Sequence, residues 1–192
     1  PLSAHWPGVV KAGSNCSQLV GLCDLMATFA DVADTEIDPH QGPDSISFAK
    51  LLRQPTAAGG RQNLVMQSTV AFAVRAGDWK LCLCPGSGSH LEFGNKPRSD
   101  DAWRAALKEL GRAPSWEDFN RAPFVQLFNV ATDIGEKHNL AKEHPERVAE
   151  IIALFKKQIQ NGRSSPGPVV DATKGTNVNR SVPKFVRSQI KE

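Results

Sequence analysis

Val70-Ala71-Phe72-Ala73-Val74-Arg75-Ala76-Gly77-Asp78-Trp79-Lys80-Leu81-Cys82-Leu83-Cys84 reads as two strands folded back on one another. Apolar and β-branched side chains alternate with smaller or polar ones on both sides of Ala76-Gly77-Asp78, and Gly77 supplies the positive φ that a tight hairpin demands. Asn63 to Gln67 extends the pattern on the N-terminal side, and Val125 to Val130 repeats it after a long excursion. Pro145 then opens a helix in which Val148, Ile151, Ile152, Phe155 and Ile159 recur at spacings of three and four. Glu146 lies in its first turn, Lys156 and Lys157 in its last, and Gly162 stops it. Four strands and one covering helix predict an antiparallel α+β unit.

Upstream the period is helical. Leu19, Leu22, Cys23, Met26, Ala30 and Ala33 predict a helix from about Ser17 to Ala33, with Asp24, Thr28 and Asp31 off the apolar stripe and Ser14 or Ser17 as cap. Leu2 to Trp6 reads as the end of a strand closed by Pro7-Gly8, with His5 mostly buried. Ser47 to Leu52 forms a short amphipathic stretch, and Pro55-Thr56-Ala57-Ala58-Gly59-Gly60 a connector. The expected organisation is therefore residues 1–54 as the end of a larger α/β domain, 55–167 as an α+β subdomain with an insertion at 85–123, and 168–192 as a basic tail. Within the insertion, Asp100 to Leu110 reads as a small helix closed by Gly111. The chain begins with Pro1, and its first residues read as the buried edge of something larger, so a fragment is expected.

The 192 residues are 40% hydrophobic and 22% charged, an ordinary globular composition that excludes disorder throughout. No window approaches the ~18 apolar residues of a membrane span. The net charge of +3 resides in the tail, where Lys174, Arg180, Lys184, Arg187 and Lys191 face only Asp171 and Glu192. Without aromatic interleaving or a basic patch in the folded part, nucleic acid is not an expected partner.

Motifs for chemistry are sparse. Pro85-Gly86-Ser87-Gly88-Ser89 lacks the glycine placement of a nucleophile elbow, and neither Gly59-Gly60 nor Gly86 to Gly88 opens a helix that could cradle phosphate. His5, His40, His90, His138 and His144 never pair at helical spacing. Asp133 and Glu136 flank a turn glycine, but two carboxylates are too few for a dedicated calcium cage. Cys16, Cys23, Cys82 and Cys84 lack zinc-knuckle spacing and read as buried thiols, with a bridge between the two pairs left open. Asn15-Cys16-Ser17 and Asn179-Arg180-Ser181 fit the glycosylation sequon. No catalytic residue and no metal ligand emerges.

Several stretches nevertheless resemble the sulfatases, the arylsulfatase-type sulfuric ester hydrolases. They are His5-Trp6-Pro7-Gly8-Val9-Val10-Lys11-Ala12-Gly13-Ser14, Val20-Gly21-Leu22-Cys23-Asp24-Leu25-Met26-Ala27-Thr28, Asp44-Ser45-Ile46-Ser47 and Arg75-Ala76-Gly77-Asp78-Trp79-Lys80-Leu81. Gln126-Leu127-Phe128-Asn129-Val130 with Asp133-Ile134-Gly135-Glu136-Lys137-His138-Asn139-Leu140-Ala141, and Asn161-Gly162-Arg163-Ser164-Ser165-Pro166-Gly167, complete the series in order. The resemblance implies the last strand and helix of an alkaline-phosphatase-like domain followed by the small C-terminal subdomain. It also implies a parent enzyme using calcium and a formylglycine made from Cys or Ser in Cys/Ser-x-Pro-x-Arg, whose hydrate attacks sulfur.

None of the four cysteines here is followed by Pro at the third position, so nucleophile and metal ligands are expected on a missing N-terminal domain of the same chain, and this segment binds no cofactor. By the same resemblance, the insertion with His90, Lys96, Arg98, Trp103, Arg104 and Trp116 could wall a sulfate-ester cleft. His90, Arg98 and Arg104 are the substrate-binding candidates. Export from the cytoplasm is also implied. Two other readings stand beside it: a free-standing module binding an anionic or glycan polymer through its tail, and a degenerate relative that has lost catalysis.

Overall fold

The computed structural model describes residues 2–67, 72–83 and 123–171. Its elements are α1 (Leu25–Val32), α2 (Ala49–Arg53), β1 (Asn63–Gln67), β2 (Phe72–Ala76), β3 (Trp79–Leu83), β4 (Val125–Asn129) and α3 (Pro145–Asn161), with one 3₁₀ turn, Leu22–Asp24, leading into α1. The chain divides into two compact units. Of the described residues, one unit holds those up to Leu64 together with Gln158 to Asp171, and the other holds those between Val65 and Lys157.

The sheet has the strand order β1-β2-β3-β4. β2 and β3 pair antiparallel from Phe72↔Leu83 to Ala76↔Trp79, and β3 and β4 from Trp79↔Asn129 to Leu83↔Val125. The two-residue loop between β2 and β3 has Gly77 at φ 56, the positive value that a primed hairpin turn needs at its first central position. Register aligns Val74, Leu81 and Leu127 across one face, all fully buried. On that face the Phe72 ring meets Phe155 of α3 at 5.4 Å between centroids in a tilted pair. Cys82 and Phe128 hold the opposite face with Ala73 and Val130 packed against them. Because Leu81, Cys82 and Leu83 are all buried, β3 is covered on both faces, and the alternation expected of a half-exposed strand is absent.

The outer edge of β4 is closed by its own downstream chain. Asn139 Oδ1 accepts from Leu127 N at 3.0 Å, Asn139 Nδ2 donates to Val125 O at 3.3 Å, and Leu140 N donates to Leu127 O at 2.8 Å. This satisfies an edge that would otherwise offer unpaired groups to another strand. α3 ends where expected, with Gly162 N bonded to Ile159 O and Arg163 N to Gln158 O, but it runs to Asn161, so Lys156 and Lys157 lie before its last turn rather than in it.

Two expectations for the N-terminal segment are corrected. Leu2 to Trp6 has no strand pairing among the described residues, and His5 is exposed. The helix begins at Leu22 rather than Ser17, because the Asp24 carboxylate accepts the Gly21 amide at 2.7 Å and fixes the start there. Neither Ser14 nor Ser17 caps it, and Ser14 Oγ instead donates to Lys11 O within a turn. The expected small helix at 100–110 lies outside the described residues.

Candidate functional site

The substrate-binding candidates His90, Arg98 and Arg104, with Lys96, Trp103 and Trp116, lie outside the described residues, as do Cys84 and the basic tail from residue 172. Three polar centres are described, each built from segments the sequence singled out.

The first joins Asp24 to Arg61 in the N-terminal unit. Arg61 Nε donates to Asp24 Oδ2 at 2.8 Å and Nη2 to Oδ1 at 2.5 Å, a bidentate pair. Nη1 reaches Asn63 O at 2.9 Å, and Nη2 also reaches Asp44 O at 2.6 Å and Cys23 Sγ at 3.4 Å. Burial pulls the Asp24 carboxyl upward, but the bonds from Arg61, Gly21 and Ile46 outweigh it and hold it below the ordinary carboxylate range. The bond from Asp24 raises Arg61 against the opposing effect of burial. Cys23 moves up because its own desolvation exceeds the pull of Arg61, so its thiol is no activated nucleophile.

Along the same face of α1 the segment from Asp44 to Phe48 is stitched on by side chains. Ile46 N donates to Asp24 Oδ1 at 3.0 Å, Phe48 N to Thr28 Oγ1 at 3.0 Å, Ala27 N to Ser45 Oγ at 2.8 Å, and Ser47 Oγ to Asp31 Oδ2 at 2.6 Å. The Asp44-Ser45-Ile46-Ser47 motif thereby serves as a strap on α1.

The second centre is Arg163, buried just past α3. All its donor nitrogens are used: Nε to Ser165 O at 2.9 Å, Nη1 to Pro39 O at 3.0 Å and Pro168 O at 2.8 Å, and Nη2 to Ser165 Oγ and Pro166 O at 2.9 Å each. Ser165 N and Oγ in turn donate to Pro43 O, and Ser164 N to Asp44 Oδ1. The turn at 163–168 is thus pinned to the loop at 39–44.

The third is the turn at 133–139. Asp133 Oδ2 accepts the amides of Lys137 and His138 at 2.8 Å each, which lowers its carboxyl, the His138 bond contributing most. Glu136 Oε1 meets Lys80 Nζ of β3 at 2.6 Å in a partly buried pair. Both carboxylates considered for a cation are therefore engaged within the fold.

The remaining histidines have local partners. His40 faces Asp38, and His138 faces Asp133. His144 faces Glu146 and meets the Trp79 ring edge-on at 5.2 Å. Cys16 and Cys23 are exposed free thiols rather than buried ones, whereas Cys82 is buried in the sheet core. Asn15, Cys16 and Ser17 of the first sequon are exposed. Among the described residues no three His, Cys, Asp or Glu side chains gather as a metal site, and no helix is long and apolar enough to cross a membrane. The sequence holds no Cys/Ser-x-Pro-x-Arg motif, and the described residues do not fit a formylglycine-calcium centre. Sequence reading missed Arg61 and its role, because a bidentate partner 37 residues from Asp24 leaves no periodic signal.

The chain is 27% identical over 156 residues to the N-acetylgalactosamine-6-O-sulfatase of Bacteroides thetaiotaomicron, which is 81% of this chain and 26% of the relative. The crystal structure of Ps i-CgsB aligns over 96% of this chain and 34% of its own, at TM-score 0.54 and 21% identity. The same protein in complex with k-i-k-neocarrahexaose aligns over 98% of this chain, again at TM-score 0.54. No protein-family model matches. The chain spans about a quarter of the length of the curated relative it matches. The match to the N-acetylgalactosamine-6-O-sulfatase does not favour a free-standing anion-binding module. The α+β arrangement, with its four-stranded antiparallel sheet and packed helix, matches part of the alkaline-phosphatase-like architecture. The chain is thus similar over most of its length to a sulfatase, of which it matches a minor part.

Proposed function

We propose that this chain serves sulfate-ester hydrolysis as the C-terminal portion of a larger sulfatase, completing its fold and helping to select its substrate. The observation that carries the reading is the match over 156 residues to an N-acetylgalactosamine-6-O-sulfatase. In this reading, residues 1–54 finish the large α/β domain, 55–167 form the C-terminal subdomain, and 168–192 are a basic tail. The formylglycine, which supplies the attacking oxygen, and the calcium, which neutralises the sulfate oxygens, belong to the preceding domain. His90, Arg98 and Arg104 of the insertion at 85–123 are the proposed substrate-binding residues, chosen because cationic and hydrogen-bonding groups suit a sulfate ester, and an extracytoplasmic compartment is the expected location.

The relative's name makes a 6-O-sulfated amino sugar the first substrate to offer. The test is sulfate release by the complete gene product from sulfated N-acetylgalactosamine and from an aryl sulfate. Hydrolysis that loses kcat/KM on Arg98→Ala or Arg104→Ala, with the fold intact, supports the reading. A complete product that releases no sulfate from either contradicts it.

A further inference from the structure

Helix α1 is turned inside out. Its buried residue is Thr28, and the residue leading into it, Asp24, is buried too. Leu22, Met26 and Phe29, four and three residues apart and hence on one face, are instead 79%, 45% and 64% exposed. The polar side is occupied: Thr28 and Asp24 hold the strap at Ile46 and Phe48, and Asp24 holds Arg61. The outward face carries no charged side chain between Leu22 and Phe29, since Asp24 faces inward. A helix that spends its hydroxyl and carboxylate on its own unit while presenting leucine, methionine and phenylalanine to solvent lacks its apolar complement.

We infer that the Leu22-Met26-Phe29 face is a docking surface, and that its occupant is the remaining part of the same sulfatase chain; the inference rests on the function proposed above. Two observations select that occupant over a separate partner. About three quarters of the curated relative's length lies outside the region this chain matches, so a large body of further chain is available to cover the face. The face also offers no ion-pairing group, so it fits an apolar wall within one core better than the charge-rimmed patch of a transient partner.

The test introduces Leu22→Lys with Phe29→Lys, and separately the milder Leu22→Ser with Phe29→Ser, into both this 192-residue chain and the complete gene product. In the short chain both pairs leave the urea midpoint unchanged and reduce binding of a hydrophobic dye. In the complete product both pairs lower the melting temperature by several degrees and cut soluble yield. A complete product indifferent to both pairs overturns the docking surface while its sulfatase activity leaves the proposed function standing. A complete product destabilised by the lysines yet inactive on sulfate esters does the reverse. A short chain that forms a dimer abolished by Phe29→Lys makes a second copy the occupant and overturns the proposal, as does a gene that encodes no longer product.

Discussion

Arg61 and Asp24 face each other through two parallel hydrogen bonds, and each side chain is only 1% exposed. They close the N-terminal unit: the guanidinium also binds the carbonyls of Asn63 and Asp44, so one side chain ties the start of β1, the strap and the start of α1 together. Removing one member of a buried pair leaves an uncompensated charge, at a cost of about 3–5 kcal/mol. Arg61→Ala and Asp24→Ala should each lose that much in urea denaturation. Arg61→Lys should recover little, because an ammonium cannot reproduce the bidentate geometry. The double variant Asp24→Asn with Arg61→Gln should lose less than the sum of its single changes.

The same carboxyl sets an acid limit. Asp24 is held below its ordinary value in the folded chain, so its contribution is fully present above the unfolded carboxyl's pKa of about 3.9 and is lost as pH falls from there through the lower folded value. Stability should fall on acidification across that window, and Asp24→Asn, weaker at neutral pH, should fall less steeply. Asp133, lowered by backbone amides, retains its share in both proteins. Urea midpoints from pH 6 downward provide the check, and parallel slopes in the two proteins would contradict the assignment.

Asn139 acts as a substitute strand for the edge of β4. Asn139→Ala strands Leu127 N and Val125 O, and about 1–3 kcal/mol is expected for groups left unsatisfied. Hydrogen exchange at the Leu127 amide should accelerate, and the opened edge should promote association at high concentration. Asn139→Asp keeps the acceptor for Leu127 and should fall between the two.

Gly167 and Gly77 separate two costs of a methyl group. Both have positive φ, but a Cβ at 77 meets open space while one at 167 overlaps the Arg163 guanidinium. Gly77→Ala should cost about 1 kcal/mol from backbone strain alone. Gly167→Ala should cost clearly more, because Arg163 must leave its carbonyl acceptors to make room. Equal losses would mean that the Arg163 turn contributes little to stability.

The elements that were legible in the sequence are those whose signal is periodic. β1 and α3 lie where the patterns at Asn63–Gln67 and after Pro145 placed them, and the hairpin lies at Gly77. The outward apolar face of α1 follows from the stripe through Leu22 and Met26 once the chain is taken as part of something larger. The helical start differs from the expected Ser17 because Leu19 continues the apolar stripe, whereas the Gly21-Asp24 bond sets the first helical turn at Leu22. Arg61, Arg163 and Asn139 were illegible as structural centres, since each works through partners scattered along the chain and none belongs to a repeat. The residues proposed to face substrate were reached only through family resemblance.

The most direct test is to read the gene upstream of the Pro1 codon in the same frame and to weigh the native protein. The account predicts an in-frame Cys/Ser-x-Pro-x-Arg motif with Asp-rich metal-ligand segments, and a product well above the 20.8 kDa of this chain whose motif peptide carries formylglycine. A native product of 20.8 kDa with a stop codon just upstream would contradict it, leaving a sulfatase homologue without the machinery for sulfate-ester hydrolysis.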